Sequence, residues 1–357
     1  MPLFLRRNGD NMINLEKEIR EQPAAVQSAL GVNKEKIRAL VDEAKARGVK
    51  SVYFCARGTS DHACIAAQYV FGIIAGIPCA LGTPSVFTKY GAKIDLSEQL
   101  VIGVSQSGKA EDVLAVLRSA KEDGAITVAV TNDESSPMAR EARYSLFCGA
   151  GPEVSIAATK TFTSQMAILF SIAAEWAQDK KLSDNLSTLP DRIKENIDRL
   201  LPQIDRMANK YRDIKGAIIL GRGMAYPIAL EGALKMLETN KIAMKGYATS
   251  DFHHGPIAQI KPGDPVFVIV PSGKTEDDAS AIIEKLRGVS ADIIVVTDDA
   301  SLVPDDCEKV VTVSSGCELT SPFMTVLVFQ LLACRLTEVR GIDPEVAGVI
   351  NKITITK

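Results

Sequence analysis

The sequence predicts an α/β fold of two duplicated three-layer α/β/α domains, each built on a parallel sheet. Three observations lead there. The segment SVYFCARGTSDHACIAAQYV (51–70) is answered by GAIILGRGMAYPIALEGALKM (216–236), placing Arg57-Gly58 and Arg222-Gly223 165 residues apart. LVIGVSQSGKAEDVLAVL (100–117) is answered in the same way by VFVIVPSGKTEDDASAII (266–283), where Gly108 and Gly273 keep that offset. Finally, short apolar runs such as QLVIGVS and ITVAV lack alternation, as strands buried on both faces do. A period this long means duplicated domains, not a solenoid.

The elements follow in order. Residues 12–34 form an N-terminal helical segment, a helix from Asn14 to Leu30 broken at Pro23. Residues 35–190 make the first domain: strand, glycine turn, helix, strand, glycine turn, helix, strand. An amphipathic stretch, LPDRIKENIDRLLPQIDRMANKY, reads as a helix linking the two copies, with the boundary near 185–205. The second domain occupies 200–340, and a strand-like tail, 341–357, carries Lys352.

A length of 357 residues accommodates two domains, and 46% hydrophobic with 24% charged residues is a globular balance. The net charge of −3, with both signs interspersed, argues against a nucleic-acid partner. Seven scattered cysteines without a CxxC pair, and only three histidines, fit buried thiols in a reducing compartment. No metal and no cofactor are expected. No apolar run is read as reaching the roughly 18 residues of a membrane span. The opening MPLFLRRNGDN is too short in apolar residues for a secretion signal. A cytoplasmic protein without a membrane partner is expected.

Open parallel sheets bind ligands beyond the carboxyl ends of their strands. Gly58-Thr59-Ser60 and Ser105-Gln106-Ser107-Gly108 both lie there, each between a strand and a helix. Glycine lets backbone approach an anion, a helix N-terminus offers unpaired N–H groups, and hydroxyls add donors. Helix capping explains one such loop, but two at neighbouring strand ends favour phosphate. The second copy reads Gly223-Met224-Ala225 and Pro271-Ser272-Gly273, so it keeps the architecture and is expected to lose the anion site.

The second copy offers acid–base groups instead. Glu231, Lys235 and Glu238 share one helical face, a pattern that a surface ion-pair ladder also produces. His253 and His254 precede a Gly-Pro turn, and histidine suits a proton shuttle near neutral pH. Residue chemistry alone stops at a phosphate-binding α/β protein.

These residues resemble the isomerase half of glutamine–fructose-6-phosphate aminotransferase and its relatives, the double SIS (sugar isomerase) domain proteins. The stretches that carry the resemblance are Gly58-Thr59-Ser60, SQSG (105–108), AGPEVSIAATKTFTSQ (150–165), LGRGMAYPIALEGALKMLE (220–238), HGPIA (254–258) and the tail around Lys352. The resemblance implies a sugar-phosphate substrate held by Gly58, Thr59, Ser60, Ser105, Gln106 and Ser107. It implies sugar contacts from Ile156, Ala158, Glu231 and Lys235. Glu238 would move a proton between C1 and C2, His254 would open the ring from the neighbouring subunit of a homodimer with shared sites, and Lys352 would approach the carbonyl.

Three departures refine the expectation. No cysteine precedes Cys55, so a glutaminase nucleophile and glutamine as nitrogen source are not expected. Ala110 replaces a threonine of the family's phosphate loop, with Lys109 expected to compensate by charge. Arg57, Asp61 and RGIDP (340–344) resemble the glucosamine-6-phosphate deaminases of the superfamily. The expected function is therefore an isomerising deaminase that converts glucosamine 6-phosphate to fructose 6-phosphate and ammonia. The alternatives are a deglycase of 6-phosphorylated fructosamines, another aldose–ketose isomerase, or a sugar-phosphate sensor without turnover.

Overall fold

The structure, a computed structural model, describes residues 12–345. Two helices, α1 (Asn14–Val32) and α2 (Lys34–Ala46), lead into the first domain: β1 (Ser51–Cys55), α3 (Thr59–Val70), β2 (Cys79–Leu81), α4 (Pro84–Thr88), β3 (Gln99–Val104), α5 (Glu111–Glu122), β4 (Ile126–Thr131), α6 (Pro137–Glu141), β5 (Tyr144–Phe147) and α7 (Lys160–Ala177). A long helix, α8 (Lys180–Lys210), carries the chain to the second domain. There follow β6 (Gly216–Gly221), α9 (Tyr226–Asn240), β7 (Ala243–Ala248), α10 (Thr249–Phe252), β8 (Pro265–Val270), α11 (Glu276–Gly288), β9 (Asp292–Thr297), β10 (Glu308–Val311) and α12 (Ser321–Arg340).

Both sheets are parallel throughout, and they repeat one topology. The first runs β2-β1-β3-β4-β5; the second, read in the same sense, runs β7-β6-β8-β9-β10. In this order the chain turns in opposite directions from β1 and from β3, which creates a crevice between their carboxyl ends. The duplication read in the sequence is a duplication of the fold.

Alternate residues of each strand enter different cores. Val52 and Phe54 of β1 point inward and Tyr53 and Cys55 outward, the inner set joining α1, α3 and α7, the outer set α5. The second sheet does the same, with Ile219 and Phe267 inward and Ile218, Leu220 and Val268 outward against α11. The inner faces of both sheets share one continuous cluster, closed by α7, α8, α9 and α12. Phe170 of α7 meets Phe323 of α12 edge-on at 5.5 Å between centroids. The two domains are therefore fused through a common core.

Three expectations are corrected. α1 is not broken at Pro23: the side-chain amide of Gln22 donates to Ile19 O at 3.0 Å, the carbonyl that a proline N–H would have served. The linking helix begins at Lys180, nine residues before the amphipathic stretch. Glu318–Arg340 is long and apolar enough to cross a membrane by length and composition (mean hydropathy 1.5), yet 89% of that window is buried inside the fold as the core helix of the second domain.

Candidate functional site: a cleft between the duplicated domains

Both hydroxyl-bearing loops sit at the crevice between β1 and β3. Thr59 and Ser60 are the first residues of α3, where leading amides have no carbonyl one turn back. Gly108 closes the second loop at φ +62°; a Cβ there would lie 2.2 Å from Ser136 Oγ, so the tight turn admits no side chain. The Arg57 guanidinium, just before the first loop, donates to the buried Asp112 of α5 at 2.7 Å. That ion pair clasps the two loops together. Ser60 and Ser105 are buried, Thr59, Gln106 and Ser107 half-buried. Lys109 is exposed, with its ammonium 3.8 Å from Asp133, at the rim.

The equivalent crevice of the second domain is filled by the protein's own carboxylates. Ser272 donates to Asp298 Oδ1 through its amide (2.7 Å) and hydroxyl (2.8 Å). The Lys274 amide donates to Glu318 Oε2 at 2.8 Å, and Gly273 N to Glu276. Glu318 has a counterpart 165 residues earlier, Glu153, which behaves differently. Glu153 accepts from Thr159 N (2.9 Å), Thr161 N (3.1 Å) and Thr161 Oγ1 (2.6 Å) at the start of its own α7. The reason is chain length: α7 begins seven residues after Glu153, but α12 begins three after Glu318. The shorter connection cannot curl back, and its glutamate lands in the crevice. The segment missing from the second copy is the one that in the first carries Ile156 and Ala158, both half-buried there.

The helix α9 turns its polar face toward the first domain. Lys235 Nζ lies 2.6 Å from Glu238 Oε2 and 3.3 Å from Glu231 Oε1, and donates to Thr59 Oγ1 at 3.0 Å. Thr59 Oγ1 in turn donates to Glu231 Oε1 at 3.2 Å, and His62 Nδ1 lies 2.7 Å from Glu231 Oε2. This is not a surface ladder, because Glu231 and Lys235 side chains are 0% and 1% exposed. Glu238 is the open end, at 20%. Burial alone would pull the Lys235 ammonium down, but Glu231 and Glu238 together hold it above its ordinary value.

Glu231, a carboxylate with three donors and no exposed surface, anchors its neighbours. Lys235 likewise has no surface of its own and acts on the cleft through Glu238 and Thr59. His254 is exposed and makes no side-chain hydrogen bond with the cluster among the described residues. His253 faces Lys285 Nζ at 3.0 Å, and burial and that ammonium hold its imidazole below the ordinary value. Lys352 lies outside the described residues. His62 was not singled out by sequence reasoning. The available signal was its place on the helix that follows the first hydroxyl loop, three residues after Thr59 and so on the same face.

The profile of the SIS domain matches residues 47–174 and again 210–340, one match for each copy. The chain belongs to the SIS-domain family. Both SIS domains of this chain align with the glutamine–fructose-6-phosphate aminotransferase (isomerizing) of Thermococcus kodakarensis, at 35% identity over 343 residues. The alignment covers 92% of this chain and 56% of that relative, so the chain spans about half its length. Among solved structures, the C-terminal domain of glucosamine-fructose-6-phosphate aminotransferase from Francisella tularensis superposes with a TM-score of 0.85 at 25% identity, covering 94% of this chain and 99% of that one. Glucosamine-6-phosphate deaminase from Thermotoga maritima shares the fold, with a TM-score of 0.75 at 21% identity and coverage of 96% and 100%.

Proposed function

We propose that the chain is a phosphosugar isomerase of the deaminating type, converting glucosamine 6-phosphate and water to fructose 6-phosphate and ammonia. One observation carries the reading: Glu238, the exposed end of the buried α9 cluster, is two hydrogen bonds from Thr59 of the hydroxyl loop, through Lys235. A phosphate anchor and a carboxylate base thus stand at one cleft, as a sugar phosphorylated at C6 and reacting at C1 and C2 requires.

In the proposed reaction the phosphate rests on the loops at 58–60 and 105–108. His254 of a neighbouring subunit opens the ring. Glu238 takes the C2 proton of the open-chain aldose while O1 gains one, leaving an enolamine. Returning the proton to C1 yields the C2 imine, which water hydrolyses to the ketone and ammonia. Lys235 holds Glu238 aimed, at 2.6 Å from its Oε2. The choice of an amino sugar rests on Arg57, Asp61 and residues 340–344, whose pattern resembles the deaminases; the carboxyl of Asp61 is raised by burial, against the opposing pull of His62 and Arg57.

The test is a panel of glucosamine 6-phosphate, fructose 6-phosphate and fructosamine 6-phosphates, assayed for ammonia, amine and sugar phosphate, with Glu238→Gln as control. Ammonia release from glucosamine 6-phosphate, lost in Glu238→Gln, is expected. Free amino acid released from a fructosamine 6-phosphate instead would replace deamination by deglycation at the same base. Binding without turnover across the panel would make the chain a sensor.

A further inference from the structure

We propose that His62 is a positioning residue for proton transfer: from the first domain it holds the buried Glu231 carboxylate so that Lys235 stays on Glu238. The inference rests on the reading of Glu238 as the proton carrier.

A carboxylate only accepts, so at 2.7 Å the Nδ1 of His62 donates to Glu231 Oε2. The other oxygen, Oε1, is shared by Thr59 Oγ1 at 3.2 Å and Lys235 Nζ at 3.3 Å. Glu231 is fully buried, so no water can replace a lost donor. The ammonium of Lys235 stands between two carboxylates and is nearer to Glu238, at 2.6 Å, than to Glu231. That asymmetry depends on Glu231 being satisfied from elsewhere. Remove the imidazole donor, and the nearest compensation for a bare buried charge is Lys235 itself, drawn off Glu238 and Thr59. The disturbance then falls on the base and its orientation, while the hydroxyls of Ser105 and Ser107 are untouched. His62 therefore acts on the chemical step through two intermediaries, without meeting the substrate. It also ties α3, which begins at the phosphate loop, to α9, which carries the base, across the domain boundary.

The experiment compares His62→Leu, His62→Asn and His62→Gln with the wild type and Glu238→Gln on glucosamine 6-phosphate. Asparagine places its amide nitrogen where Nδ1 stands; glutamine reaches toward the position of Nε2. In His62→Leu and His62→Gln, kcat is expected to fall roughly 10- to 100-fold, as for a small misplacement of a reacting group, with KM and inorganic-phosphate binding within about threefold. His62→Asn is expected to recover kcat to within about threefold of wild type. Wild-type kcat in His62→Leu, or equal kcat in the asparagine and glutamine variants, overturns the inference while an inactive Glu238→Gln leaves the role of Glu238 standing. A fully active Glu238→Gln removes the underlying reading and the inference with it. Independently of turnover, imidazole 15N spectra are expected to show a protonated, hydrogen-bonded Nδ1 on His62; an unprotonated Nδ1 overturns the inference.

Discussion

The ammonium of Lys235, on a helix of the second domain, lies 3.0 Å from the hydroxyl of Thr59, at the first turn of a helix in the first. Residues 176 apart in the chain thus meet at the centre of the cleft, and both belong to stretches whose individual meaning is slight. The contact joins the duplicated domains across the cleft: the hydroxyl-bearing loop comes from one copy and the α9 cluster from the other.

Lys235 gives the cluster a defined pH signature. Its folded-state value is raised above the ordinary 10.5 by Glu231 and Glu238, against burial. A cation so raised contributes its full stability below its unfolded value and loses it as pH climbs through the folded one. The Tm of the wild type should therefore show a component that falls only above about pH 10.5. Lys235→Met should lack that component and be less stable at neutral pH by about 3–5 kcal/mol, the usual cost of stranding a buried charge. Thermal melts from pH 7 to 11.5 measure both. A wild-type curve running parallel to that of the variant would contradict the assignment.

The two crevices should respond oppositely to phosphate. Replacing Ser105 and Ser107 together with alanine should weaken inorganic-phosphate binding roughly tenfold or more, since hydrogen bonds to a charged group contribute about 1.5–3 kcal/mol. Ser272→Ala should leave it unchanged, because that hydroxyl and amide already serve Asp298. Calorimetric titration of the three proteins decides; equal losses would mean that the second crevice also takes the anion.

Gly232 is where α9 passes α12. A Cβ at this position would lie 2.7 Å from the Phe329 ring and 3.1 Å from Ile219. Gly232→Ala should cost about 1–3 kcal/mol by overpacking, even though alanine is the better helix former. Denaturant unfolding that shows a more stable Gly232→Ala protein would mean that the helices can separate without loss.

His254 stands exposed on the turn after α10, apart from the base it is proposed to serve. If a neighbouring subunit brings it to Glu238, mixing His254→Ala with Glu238→Gln should restore activity to roughly a quarter of wild type, the share of sites that random pairing leaves intact. Ammonia release from the mixed, refolded proteins is the readout. No recovery would place each site within one chain.

Much of this was legible in the residues. The parallel α/β class, the duplication and its 165-residue offset follow from unalternated strands and repeated Arg-Gly turns, because local periodicity and register are written directly in a linear sequence. The position of the two hydroxyl-bearing loops was legible for the same reason: Gly58-Thr59-Ser60 and Ser105–Gly108 are contiguous, each between a strand and a helix. Other features were not. Spacing placed Glu231, Lys235 and Glu238 on one face of α9 but could not say that this face is buried, since burial depends on what packs against it. His62 acquires a role only because α3 crosses α9. Glu153 and Glu318 look equivalent in the sequence, yet a connection four residues shorter sends one to cap its own helix and the other into the crevice. Local chemistry fixes what each loop can bind; only the packing of distant segments into one core decides which groups share a cleft.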